Sequence, residues 1–137
     1  MVRSVIGVIG GAVVWMVVFV CVTVSLALFW PEYAAHGRVW FQQHVYEFTT
    51  GMSAVNASFW VLAEIVAGGL AVVIAARRQA GWVLAAVIGL YLAYEHLYVE
   101  WSNLPQGYNL AVAIPAAPAT LLGAWFARRF ARSPRPA

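Results

Sequence analysis

The stretch GMSAVNASFWVLAEIVAGGLAVVIAARR, Gly51 to Arg78, decides how the rest of the chain is read. It carries one charged residue, Glu64, before closing on the paired arginines Arg77 and Arg78. At about 1.5 Å per residue, a helix from Gly51 to Ala76 crosses the roughly 30 Å hydrocarbon core of a bilayer. Similar apolar runs flank it: Val5 to Trp30 before, Gly81 to Trp101 and Leu110 to Phe126 after. The last is shortest and spans if its helix continues a turn into the arginines that follow.

The charges give these runs a direction. Arg3, Arg77, Arg78, Arg128, Arg129, Arg132 and Arg135 fall on one side of them, Arg38 alone falls on the other, and there is no lysine. All five acids are glutamates, inside the runs or on the side of Arg38. Arginine and lysine bias sets the orientation of membrane helices. The expected fold is therefore all-α: an integral membrane four-helix transmembrane bundle, N-in/C-in, with spans at about residues 5–30, 51–76, 81–101 and 110–126. A longer outer loop or interfacial helix joins helices 1 and 2. Residues 1–137 form a single transmembrane domain, since this length leaves no room for a soluble one.

Arg3, an apolar run and the pattern Ser25-Leu26-Ala27 resemble a signal peptide, but the run is too long for a signal's apolar region and further spans follow. A sequence pI of 9.4 does not imply nucleic acid here, because the arginines are split among short cytoplasmic ends and are accounted for by orientation and anionic lipid. Cys21 is the only cysteine, which rules out an internal disulfide or paired-thiol redox chemistry. No repeat or phosphate-binding loop is present. Abundant alanine, valine and arginine without lysine hints at a GC-rich bacterial genome, and so at the plasma (inner) membrane.

Polar residues within the spans mark where function is expected. Counted from the cytoplasmic ends, Glu64 lies about 18 Å into the second span, and Glu95 and His96 about 21 to 23 Å into the third. That places all three in one layer. Thr49, Ser53, Asn56, Trp60 and Glu64 form one stripe on the second helix, while Tyr91, Glu95 and Tyr98 share a face of the third with His96 and Glu100 adjoining. Facing stripes predict a polar cleft between helices 2 and 3, open outward and closed below by Val72, Val73 and Val87. The first helix is read as scaffold or oligomer contact, and the fourth, with Pro115 and Pro118, as a kinked wall or a tightly packed helix.

The outer connection, Pro31 to Thr50, carries Glu32, His36, Arg38, Gln42, Gln43, His44 and Glu47. Read as a helix, it puts Trp40, Phe41, Val45 and Phe48 to one side, suiting a segment at the interface or folded over the cleft. Gly51, after Thr49 and Thr50, is the expected bend. Tyr33, Trp40, Tyr98 and Trp101 fit an outer aromatic belt.

Three functions follow. The first is an enzyme, an isomerase, cyclase or hydrolase, acting on a lipophilic small molecule without a cofactor: Glu64 and Glu95 serve as acid and base, His96 or Tyr91 tunes them, and Asn56 orients the substrate. His44 and Glu47 complete the candidate residues from the outer segment. The second is a proton-coupled carrier or channel using the same glutamates. The third is a metal-dependent enzyme, since His44 with Glu47 and His96 with Glu100 have spacings near those of carboxylate-bridged metal sites. Expected partners are the substrate, the lipid bilayer and further copies of the chain, because so small a bundle encloses little interior.

Arg38-Val-Trp-Phe-Gln-Gln-His-Val-Tyr-Glu47 resembles the Arg and Asn-x-x-Glu region of the four-span glutathione and eicosanoid enzymes, with the asparagine missing and the register off by one. A His and Glu on the second helix with a Glu on the third resemble sterol isomerases of the emopamil-binding type, without matching spacing. Neither resemblance covers enough of the chain to assign a family.

Overall fold

A computed structural model describes residues 2–131; Arg132 and Arg135, used in the charge count, lie outside the described residues. Within them the elements are α1 (Val2–Phe29), α2 (Pro31–Gln43), α3 (Thr50–Ala75), α4 (Arg78–Tyr94) continued by a π-helical turn (Glu95–Val99), α5 (Gln106–Ala113) and α6 (Ala116–Ala131). No strand occurs among the described residues. Four helices are long and apolar enough to cross a membrane: Val2–Phe29, Thr50–Ala75, Arg78–Val99 and, taking α5 and α6 together, Gln106–Phe130.

Local chemistry sets the boundaries. Pro31 opens α2, where its missing N–H costs nothing, and Glu32 stands in the first turn. The helix stops at Gln43 because His44 adopts a left-handed conformation, φ 54°, and returns its N–H to the Trp40 carbonyl at 2.9 Å. Residues 44–49 are irregular, so Val45 and Phe48 do not extend the Trp40 and Phe41 face as the sequence suggests. Thr49 then caps α3, its Oγ1 accepting from the Met52 N–H at 3.3 Å. Pro115 cannot donate within a helix, and α5 gives way to α6 at residues 114–115.

α3 is the central element, packed extensively against α1 on one side and α6 on the other, with α4 against α6 and α3. Small residues permit these approaches. A Cβ added to Gly7 would lie 2.6 Å from the Ala71 carbonyl oxygen, and one on Gly68 or Gly123 would sit on the backbone of Thr120 or Ile65. Where lipid replaces water, helices associate through such contacts rather than by hiding apolar surface.

The turn between α3 and α4 has only two residues, Ala76 and Arg77, with Ala76 left-handed at φ 52°. α4 therefore starts at Arg78 rather than Gly81. That earlier start moves its later residues about one helical turn relative to α3, with consequences for the site.

Candidate functional site

At the end of the bundle opposite Arg77 and Arg78, α2 and the irregular strap 44–49 lie against α1 and α3 and enclose a cavity of about 400 Å³. This is within the range of small-molecule sites. Its walls come from every part of this end: Phe19 and Thr23 of α1, Tyr33, Gly37, Arg38 and Trp40 of α2, Tyr46 and Phe48 of the strap, Asn56 and Trp60 of α3, His96 and Tyr108. The lining is predominantly aromatic. Phe19 stacks on Trp60 with ring centroids 4.0 Å apart, and Tyr46 lies 5.7 Å from Tyr108.

Hydrogen bonds tie the strap and α5 to the polar stripe of α3. The Tyr46 and Ser53 hydroxyls are 2.6 Å apart, and Asn56 Nδ2 donates to the Tyr108 hydroxyl oxygen at 3.0 Å. Burial pushes the Tyr33 phenol above its ordinary value near 10, with Tyr46 adding to the rise. Burial also raises the Tyr46 phenol, partly offset by its bond to Ser53. His36 Nδ1 and Glu47 Oε2 stand 3.8 Å apart where solvent reaches both, an ion pair only when the imidazole is protonated and then a weak one.

His96 is the most defined polar group of the cavity. The π turn that contains it closes with the Glu100 N–H on the Glu95 carbonyl at 2.8 Å. Such turns insert a residue into an α-helix and re-aim its side chains. His96, one turn after Leu92, still follows the α-helical spacing and points inward at 6% exposure, while Tyr98 remains 77% exposed. Nδ1 of His96 lies 3.0 Å from Asn109 Oδ1, and Asn109 Nδ2 donates to the carbonyls of Glu100 at 3.1 Å and Leu104 at 3.4 Å. Those two carbonyls can only accept, so the amide must present its oxygen to the ring and Nδ1 must carry the proton. Nε2 makes no hydrogen bond within the protein and is not sealed off. It belongs to a residue that lines the cavity.

Glu64 occupies a different level. It is fully buried, and neither carboxyl oxygen has a hydrogen-bond partner; the same holds for the indole nitrogens of Trp15 and Trp60. Trp60, not Glu64, stands opposite His96, with ring centroids 6.3 Å apart. Glu64 is one turn further along α3, about 6 Å deeper. The single layer expected for Glu64, Glu95 and His96 is thus replaced by two, as the tight turn at Ala76 and Arg77 dictates. Glu64 does not line the cavity.

The other expected positions separate as well. Asn56 lines the cavity. Tyr91 is half-exposed and packs edge-on against Trp15 of α1, centroids 5.9 Å apart, so its face turns toward α1 and away from α3. Glu95, partly exposed, opens the π turn without lining the cavity. The inward face of α4 is instead Leu84, Ile88, Leu92 and His96, at helical spacing. Val73 and Val87 are exposed, so they close no cleft between α3 and α4. α1, read as scaffold, contributes Phe19 and Thr23 to the lining. His44 and Glu47 are exposed on the strap. Among the described residues no group of three or more His, Cys, Asp or Glu side chains is placed to hold a metal ion, so their pair and the His96 and Glu100 pair do not converge.

Tyr108 and Asn109 are the residues that sequence reasoning passed over. They sit at the end of the connection before the fourth apolar run, and a Tyr-Asn pair at that level was the available signal. Comparison of the chain with protein-family models, curated proteins and solved structures gives no match.

Proposed function

We propose that the chain is a small integral membrane enzyme, with both termini cytoplasmic, that performs acid/base chemistry on a lipophilic small molecule held in the aromatic cavity. A plasma membrane location fits the arginine distribution and composition, and α2 with the strap would then form the outer cover. The observation that carries this reading is His96, a residue of the cavity wall whose ring is fixed through Nδ1 by Asn109 and whose Nε2 has no hydrogen-bond partner within the protein.

A second group complements it. Tyr108 accepts from Asn56 at 3.0 Å, which leaves its own O–H to donate, and its ring lies 5.9 Å from that of His96. With a carbonyl compound, Tyr108 hydrogen-bonds the oxygen while His96 Nε2 removes a proton from a neighbouring carbon. Return of that proton to a different carbon completes an isomerisation with no net gain or loss. In cyclisation and epoxide opening the protonated imidazole gives its Nε2 proton to the alkene or to the epoxide oxygen as the C–O bond breaks. The freed Nε2 then removes a proton from a carbon beside the cation, so that the imidazolium is restored. A positioned acid or base of this kind contributes roughly 10²- to 10⁴-fold in rate.

The deciding experiment is mass spectrometry of small molecules co-purifying in mild detergent with wild type, His96→Asn and Gly37→Trp. Gly37 lines the cavity, and a Cβ added there meets nothing within 4 Å, so a larger side chain can be started at this wall without a clash, and tryptophan there is chosen to occupy the space. A non-phospholipid lipophile enriched on His96→Asn and lost from Gly37→Trp is the expected result. Ordinary phospholipid alone on all three overturns the reading.

A proton-coupled carrier is the second reading, favoured by the unpartnered Glu64 carboxyl beneath Trp60. Proton-driven flux into vesicles that is abolished in Glu64→Gln and intact in His96→Asn would select it.

A further inference from the structure

We infer that the molecule held in this cavity is an anionic amphiphile whose carboxylate or phosphate is bound by Arg38, an assignment that rests on the cavity being the site of the lipophilic molecule. Arg38 is the one arginine separated from the others by the apolar runs, and it lines the cavity. On α2 it follows Ala34 and precedes Phe41 at spacings of four and three, so these residues share the helix face that borders the space. Arg38 and Phe41 are exposed, whereas Tyr33 and His96 are buried, which puts the guanidinium at the rim and the imidazole at the base.

The charge of the site has one sign. None of the five glutamates lines the cavity. The single ion pair among the described residues joins His36 to Glu47, leaving Arg38 with no carboxylate partner. A guanidinium presents planar paired donors suited to a carboxylate or phosphate. The space behind it is walled by aromatic rings and by polar groups none of which is an acid, so a charged head at the rim and an apolar body reaching His96 match the lining in order. A cationic molecule would meet Arg38 with no acid to offset it.

The test measures binding of palmitate, hexadecyl phosphate and hexadecanol, which share one chain and differ in the head. The purified protein in dodecyl maltoside is examined by native mass spectrometry, as wild type, Arg38→Gln and Gly37→Trp. Wild type is expected to retain palmitate, hexadecyl phosphate or both about tenfold more tightly than hexadecanol, and the favoured head identifies carboxylate or phosphate. Arg38→Gln should remove that preference yet keep hexadecanol, showing a folded and open cavity, and Gly37→Trp should lose all three. Equal retention of the three by wild type, or a preference that survives Arg38→Gln, overturns the inference while leaving the cavity reading intact. If wild type retains none of them but still carries a lipophile that Gly37→Trp loses, the anionic class alone fails; if no lipophile is carried either, the cavity reading fails with it.

Discussion

Replacing Glu64 by methionine should make the protein more stable. Glu64 is fully buried, and both its oxygens lack partners. Each buried polar group left unsatisfied costs about 1–3 kcal/mol, and an ionised, unpaired carboxylate costs more. Methionine matches the length of glutamate and adapts its shape, so the packing loss should stay below about 1.5 kcal/mol. The balance is a gain of about 1–2 kcal/mol. At about 4 °C per kcal/mol for a chain of this size, the unfolding midpoint rises by about 4–8 °C. Glu64→Gln keeps an unpartnered polar group and should shift the midpoint little. Thermal unfolding in dodecyl maltoside, followed by tryptophan fluorescence, measures all three proteins. A Glu64→Met midpoint more than a few degrees below wild type would refute the reasoning, because it would mean the carboxyl has a stabilising partner. Should Glu64→Met gain stability and lose turnover or flux, the carboxyl is retained for function at the expense of the fold.

Other perturbations test other parts of the molecule. Asn109→Leu orphans His96 Nδ1 and two backbone carbonyls, so it should destabilise by about 1–3 kcal/mol and reduce turnover at least tenfold, read from denaturant midpoints and product formation; full turnover would remove Asn109 as the positioning residue. Tyr108→Phe should lower turnover by about 10²-fold or more while leaving retention of the co-purified lipophile unchanged. Gly123→Leu forces a side chain onto the Ile65 backbone and should prevent recovery of folded protein, whereas Gly107→Ala, which meets nothing within 4 Å, should be neutral in the same extraction assay. Tyr33 and Tyr46 hold their protons more tightly folded than unfolded. Their stabilising contribution is therefore complete below the unfolded value near 10 and lost as pH rises toward the folded values, so the unfolding midpoint should fall more steeply above pH 10 in wild type than in the Tyr33→Phe, Tyr46→Phe double variant.

Much of the architecture is legible because apolar length is a one-dimensional property. Gly51 to Ala76 and its companion runs need only be counted against a bilayer, and the observed helices differ from them by a few residues at each end. The site is not one-dimensional. Whether Glu64 or Trp60 meets His96 depends on where α4 begins, and the left-handed Ala76 that moves its start to Arg78 has no signature, since alanine seldom adopts that conformation. The face of α4 that turns inward is likewise chosen by Gly81 and Gly89 settling on Ala124 and Ala117 of α6. Polarity alone favoured Tyr91 and Glu95. Asn56 and His96 were recognisable as polar residues within apolar runs. Their partners Tyr108 and Asn109 were not, because hydrogen bonds spanning 52 and 13 residues leave no local pattern.

The π turn at Glu95–Val99 gives this site a tolerance to chain length that differs from its sensitivity to residue type. An α-helical turn would take one residue fewer to cover the same rise. Removing any one of the residues after His96, such as Leu97, would let the segment relax to an ordinary helix while His96 stayed in place. The shorter turn covers the same rise, so the carbonyls of Glu100 and Leu104, which hold the Asn109 amide, would keep their places. A single deletion inside this turn should therefore be absorbed, whereas one between Glu100 and Asn109 shortens the connection that brings the clamp to the imidazole. The π turn thus stores one residue of slack in the count between His96 and Asn109.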